Sequence, residues 1–150
     1  MIVGTGNVGA SIAYSLVNQR TQINELILTD INMNDAEGEA MDLRDSLAVS
    51  PSTMKIRSGT YTDAKGCDII VITAGLPQRP GETRMELLKK NAKISKSMIG
   101  QNMKNGFDGI FIIVSNPMDV LTHLTWKYSG LPASRVIGSG TVLDSARLKM

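Results

Sequence analysis

The stretch MIVGTGNVGASIAYSLV, residues 1–17, decides the fold. Three apolar residues, Met1 to Val3, run straight into Gly4-Thr5-Gly6-Asn7-Val8-Gly9. Val8, Ile12 and Leu16 then recur at helical spacing. A strand, a glycine-rich turn and a helix are therefore expected in that order. In such a turn the first glycine permits the tight bend and the second lets the backbone approach a ligand. The third lets helix and strand pack closely. The same spacing also suits an ordinary strand-to-helix turn, so its surroundings have to decide between the two readings.

Working outward, apolar runs of strand length occur at Leu26–Thr29, Ile69–Thr73 and Ile110–Val114. Weaker ones lie at Met1–Val3, Met54–Arg57 and Arg135–Ile137. The strong runs are β-branched and continuous rather than alternating, as in strands covered on both faces. Helical patterns fall between them. They cover Val8–Asn18, Asp35–Leu47 (with Ala36, Ala40, Met41 and Leu43 apolar), Arg84–Lys104 (with Leu88, Ala92, Ser95 and Ile99 on one face), Met118–Tyr128 and Leu143–Lys149. Regular alternation of strand and helix predicts an α/β chain with a doubly wound parallel sheet of the Rossmann type. The opening turn then sits where such sheets bind dinucleotides, with its helix N-terminus offering free N–H groups to phosphates. A carboxylate is expected about 20 residues on, at the end of the next strand. Leu26-Ile27-Leu28-Thr29-Asp30 supplies it. There Asp30 would accept hydrogen bonds from ribose hydroxyls and repel a 2′-phosphate, which favours NAD over NADP. Its alternative reading is a turn residue or a helix cap.

Composition narrows the partners. With 150 residues, 42% hydrophobic and 20% charged, one domain with a real core is expected. A net charge of +2 argues for neither nucleic acid nor membrane. No apolar run is long enough to span a bilayer and no signal-peptide pattern is visible. The single cysteine, Cys67, leaves no internal disulfide and no ligand cluster for a metal. These features point to a reducing cytoplasm. The short first strand and the absence of a helix-stop signal at Leu148-Lys149-Met150 read as a piece of a longer protein.

Three later motifs carry chemistry-bearing side chains. Gln78-Arg79-Pro80-Gly81-Glu82-Thr83-Arg84 forms a loop at a strand's carboxyl end, where Arg79 and Arg84 suit a carboxylate or a carbonyl gaining charge. A solvated basic loop is the plain alternative. Val114-Ser115-Asn116-Pro117 ends the next strong strand. It is either a common turn or a way of placing Asn116 at the sheet edge. Asp144 and Arg147, three apart on the last helix, make either a surface ion pair or two separate contributions to a site. His123, the only histidine, lies inside a helix without a surrounding motif.

Taken together, GTGNVG, the Asp30 strand end, AEGEAMDL, ITAGLPQRPGETR, SNPMDVLT and IGSGTVLDSAR resemble the L-lactate/malate dehydrogenase family over nearly the whole chain. The resemblance implies the NAD-binding half, residues 1–150 running into the first helix of a catalytic half that the fragment lacks. It implies NAD as cofactor, held by Gly4, Gly6, Asn7, Val8, Gly9, Asp30 and Asn116. It also implies a small 2-oxo or 2-hydroxy acid as substrate. Arg84 would polarise the ketone and Asn116 would hydrogen-bond the substrate oxygen. Asp144 would pair with a catalytic histidine, and Arg147 would fork onto the carboxylate, a task lysine does poorly. The histidine belongs to a His-Gly-Asp setting expected beyond Arg147, so this piece alone should be inactive and His123 should be structural or exposed. Gln78 occupies the position that is glutamine in lactate enzymes and arginine in malate enzymes. A neutral residue there disfavours the second carboxylate of oxaloacetate. The resemblance further implies a homodimer or homotetramer for the full-length protein. A malate or other L-2-hydroxyacid dehydrogenase, and a non-catalytic dinucleotide-binding module, are the alternatives.

Overall fold

A computed structural model describes residues 1–19, 21–50, 52–77 and 80–149. In chain order the elements are β1 (Ile2–Val3), α1 (Asn7–Asn18), β2 (Glu25–Thr29), α2 (Met33–Ser46), β3 (Lys55–Ser58) and a 3-10 helix over Tyr61–Gly66. Then come β4 (Ile69–Ile72), α3 (Arg84–Lys104), β5 (Ile110–Ile113), α4 (Met118–Ser129), β6 (Val136–Gly138) and α5 (Val142–Leu148). The strands form one parallel sheet in the order β3-β2-β1-β4-β5-β6. The winding reverses between β1 and β4, the switch point at which open α/β sheets form their ligand crevice.

Register fixes the site. Val3 pairs with Thr29 and Ile72, Ile72 pairs with Ile113, and Ile113 pairs with Gly138. The strands therefore release their following loops at one common edge. The Gly4 turn, Asp30, the loop after β4, Asn116 and the approach to α5 all leave from it. The continuous apolar runs of the sequence follow from covering on both faces. Ala13, Val17, Leu26, Leu28, Ala40 and Leu43 pack on one side. Ile70, Ile72, Met98, Ile99, Phe107, Phe111 and Leu121 pack on the other.

Two helix faces differ from expectation. Met41 is 52% exposed, because Ala36, Ala40 and Leu43 already form the inward stripe of α2 and the next residue points about 100° away. On α3 the buried stripe is Asn91, Ser95, Met98, Ile99 and Asn102, while Leu88 and Ala92 are only half-buried. Polar residues on the inward face drew the sequence reading toward their apolar neighbours. The two 3-10 helices, Tyr61–Gly66 and Ala133–Arg135, were not anticipated. The first is built by a capping box, in which Thr60 and Asp63 satisfy each other's backbone donors.

Candidate active site

At the β1–α1 turn Gly4 has φ +103, and a Cβ there would lie 2.6–2.8 Å from the Ala74 backbone and side chain. The Thr73 hydroxyl donates to the Gly4 carbonyl at 2.7 Å and locks the turn to the end of β4. A Cβ on Gly9 would fall 1.9 Å from the Gly4 oxygen, so α1 sits against the turn as closely as its backbone allows. Around Gly6 the situation is reversed, with nothing within 4 Å of a Cβ position. Gly6, Asn7 and Val8 are exposed. The α1 N-terminus has no side-chain cap and no acidic residue in its first turn. Open space, free N–H groups and an uncompensated positive helix end suit a pyrophosphate.

Asp30, half-buried, is tied to this turn. Its Oδ2 accepts from the Thr5 N–H at 2.7 Å and the Thr5 hydroxyl at 3.2 Å, and its Oδ1 accepts from the Asn32 N–H at 3.1 Å. The cap of α2 is Asn32, not Asp30. A carboxylate offers about four acceptor sites, so capacity remains for ribose hydroxyls. Sequence reasoning missed Tyr61, which is half-buried close enough to Asp30 to feel its charge. Burial first, and then that carboxylate, push its hydroxyl above its ordinary pKa of 10.0. The residues present thus fit a dinucleotide.

Toward β5 and β6 the other predicted residues lie along the same edge. Arg84 is the first residue of α3 and is exposed. The Thr83 hydroxyl accepts from the Glu86 N–H at 3.2 Å, and Glu86 Oε2 accepts from the Thr83 N–H at 2.9 Å, closing the helix start around Arg84. The Arg84 side chain makes no hydrogen bond or ion pair with another described residue. Gln78 and Arg79 lie outside the described residues. Asn116 is exposed, and the Asn116–Pro117 bond is cis. On α5, Asp144 and Arg147 are 72% and 68% exposed and form an ion pair at 3.6 Å. His123 is exposed on α4, beside Trp126.

A second residue escaped the sequence reading. Asn91 is 2% exposed, and its side chain joins the loop after β4 to the turn after β5. Its Oδ1 accepts from the Leu76 N–H at 2.8 Å. Its Nδ2 donates to the Leu76 carbonyl at 3.3 Å and the Asn116 carbonyl at 3.2 Å. An asparagine on the inward stripe of an amphipathic helix was the available signal. Among the described residues no group of His, Cys, Asp or Glu could hold a metal, and no helix is long and apolar enough to cross a membrane.

Comparison with known proteins gives the same picture. Curated relatives include L-lactate dehydrogenase 2 of Bacillus cereus and of Bacillus anthracis, each 57% identical over 149 residues, covering 99% of this chain and 47% of the relative. Among solved structures, a lactate dehydrogenase from a deep-sea metagenome library superposes with a TM-score of 0.95 at 55% identity, covering 99% of this chain and 47% of that one. The malate dehydrogenase of Archaeoglobus fulgidus in complex with NADH gives 0.91 at 41% identity, covering 99% and 50%. The chain spans about half the length of these relatives. A model of the lactate/malate dehydrogenase NAD-binding domain matches residues 1–138, so the chain belongs to the lactate/malate dehydrogenase family and carries its NAD-binding domain.

Proposed function

We propose that the full-length protein bearing this chain is a cytoplasmic, homo-oligomeric NAD-dependent L-lactate dehydrogenase. It would interconvert (S)-lactate and pyruvate. The observation that carries this reading is the shared sheet edge. The parallel register sets the open α1 start and Asp30 on one side of the switch point. Asn116 and the segments leading to Arg84 and α5 lie on the other. A pure dinucleotide binder has no use for the second group.

Bound NAD supplies or accepts the hydride. Gly6, Asn7 and Val8 receive the pyrophosphate on backbone N–H groups, and Asp30 takes the ribose hydroxyls. Arg84, unpaired among the described residues, is available to the substrate carbonyl, where it stabilises negative charge developing on oxygen. Asn116 donates to the same oxygen. Arg147 exchanges its loose contact with Asp144 for a two-pronged grip on the substrate carboxylate, which frees Asp144 for a protonated histidine. That histidine comes from a His-Gly-Asp segment absent from these 150 residues, and α5 begins the half that holds it.

Gln78 and the 57% identity to L-lactate dehydrogenases favour pyruvate over oxaloacetate. Likeness to a malate dehydrogenase keeps the second reading in view. The test is NADH oxidation by the full-length protein with pyruvate and oxaloacetate side by side. A higher kcat/KM for pyruvate is expected. Preference for oxaloacetate would overturn the lactate assignment, and activity with no 2-oxo acid would leave dinucleotide binding alone.

A further inference from the structure

We propose that Asn91 is a positioning residue for the substrate side of the site, acting through the main chain at Asn116. This rests on the dehydrogenase reading above.

Position comes first. Asn91 lies two turns into α3, at the centre of a three-way junction. The loop leaving β4 and the turn leaving β5 arrive from neighbouring strands, and no sheet hydrogen bonds continue past Val114 and Ser115 to hold them together. Two side chains take over. The Ser115 hydroxyl donates to the Ile72 and Ala74 carbonyls at 3.2 and 2.7 Å. One residue further on, Asn91 spans Leu76 and Asn116. Gly75 lies alongside, where a Cβ would stand in ordinary contact, 3.8 Å from both polar atoms of the Asn91 amide.

Chemistry then restricts the residue. The junction presents one N–H and two carbonyls to a buried side chain. An amide matches them with one acceptor and two donors, so its orientation is fixed and its two hydrogens are fully used. Aspartate would set a carboxylate against two carbonyl oxygens. Alanine or leucine would leave three backbone groups without these partners. Glutamine adds a methylene in a place already packed. The same clamp fixes the start of the loop that runs on toward Arg84. Asn91 thus ties the exposed Asn116 side chain and the Arg84 loop to one rigid helix, which favours a constant distance between them.

The test is a double-mutant cycle in the full-length protein, using Asn91→Ala, Asn116→Ala and the pair. Readouts are kcat and KM for pyruvate, the NADH Kd by fluorescence, and Tm. Misplacing a substrate-side group costs on the order of 10²-fold. Asn91→Ala should therefore lower kcat/KM about that much, while the NADH Kd, carried mainly by the α1 turn and Asp30, stays within about threefold. Because Asn91 acts through Asn116, the double variant should be little worse than Asn116→Ala alone. Additive losses, or a fall in kcat/KM matched by an equal loss of NADH affinity, would make Asn91 merely structural and overturn the proposal. If Asn91→Ala does not reach a native Tm, Asn91→Ser, which adds no charge beside the two carbonyls and keeps a hydroxyl in the site, carries the same cycle with the same criteria. A wild-type protein inactive on every 2-oxo acid would remove the reaction itself and overturn both readings. An active wild type with additive losses would overturn only this one.

Discussion

Two helix starts in this chain treat the same problem in opposite ways. Every helix begins with unpaired N–H groups and a partial positive charge. At α3 the chain closes that end with the Thr83–Glu86 capping box, an acidic first turn and an arginine held outside. At α1 it leaves the end open, with Gly6 as the cap, no side-chain partner and no acid nearby. The closed start contributes stability, typically about 1 kcal/mol for a good cap. The open start gives that up and gains a place where an anion completes the helix. α2 is capped by Asn32 and α3 by Thr83, and α4, which has no side-chain cap, carries Asp119 in its first turn; α1 has neither a cap nor an acid, and that bare end marks the binding edge.

The contrast can be broken most severely at Gly9. Gly9→Ala forces a Cβ into the Gly4 carbonyl and the Thr73 hydroxyl, and backbone cannot yield there as a side-chain tip would. We expect destabilisation of about 3 kcal/mol, read as a fall in Tm together with weaker NADH binding. A cleaner change is Gly6→Asp, which gives α1 the cap that α3 has. Open space around Gly6 accepts the side chain, so Tm should hold or rise slightly. The added carboxylate meets the phosphates, and NADH affinity should drop about 10- to 100-fold. Unchanged affinity would remove the open helix end from the binding site. The smallest effect belongs to the closed start. The Thr83 N–H, then the Thr83 hydroxyl, hold Glu86 below its ordinary value of 4.5. Between the folded and unfolded values the unfolded chain binds more protons, so this contribution is present above about pH 4.5 and disappears as pH falls through the folded value. Glu86→Gln should therefore lower Tm slightly at neutral pH, and the gap to wild type should close on acidification. A constant gap across pH would mean the charge plays no part in the cap.

The sequence made some parts of this legible and hid others, for physical reasons. Strand positions came through because two-sided burial demands continuous β-branched runs, and α3 came through because Leu88, Ala92, Ser95 and Ile99 recur at helical spacing. The glycines at 4, 6 and 9 were readable as a set, Gly4 and Gly9 from the close approach that excludes a Cβ and Gly6 from the room left for a ligand. Asn91 offered one signal, its place on the inward stripe of α3, and went unread because a buried amide and a solvated one look alike until the strands that need it are placed beside it. Tyr61 was hidden by the 3-10 helix, whose short period leaves no apolar pattern. Gln78 lies outside the described residues, so the substrate preference proposed for it rests on the sequence.

β1 holds a final consequence, and it concerns the order of assembly. This two-residue strand is central in the sheet, yet its two partners lie at very different distances along the chain. Ile2 meets Leu28 on one side and Val71 on the other. The second pairing, reinforced by the Thr73 hydroxyl on Gly4 across 69 residues, is the most distant in the sheet. Loop closure makes such a contact the costliest in chain entropy, and topologies rich in such contacts form slowly. The crevice between β1 and β4 is therefore the seam joining two locally built halves, β1–β3 and β4–β6. A ligand seated there spans the seam. Bound cofactor would then act as a splint across the junction whose closure costs the most chain entropy, and its absence should be felt first in hydrogen exchange along β1.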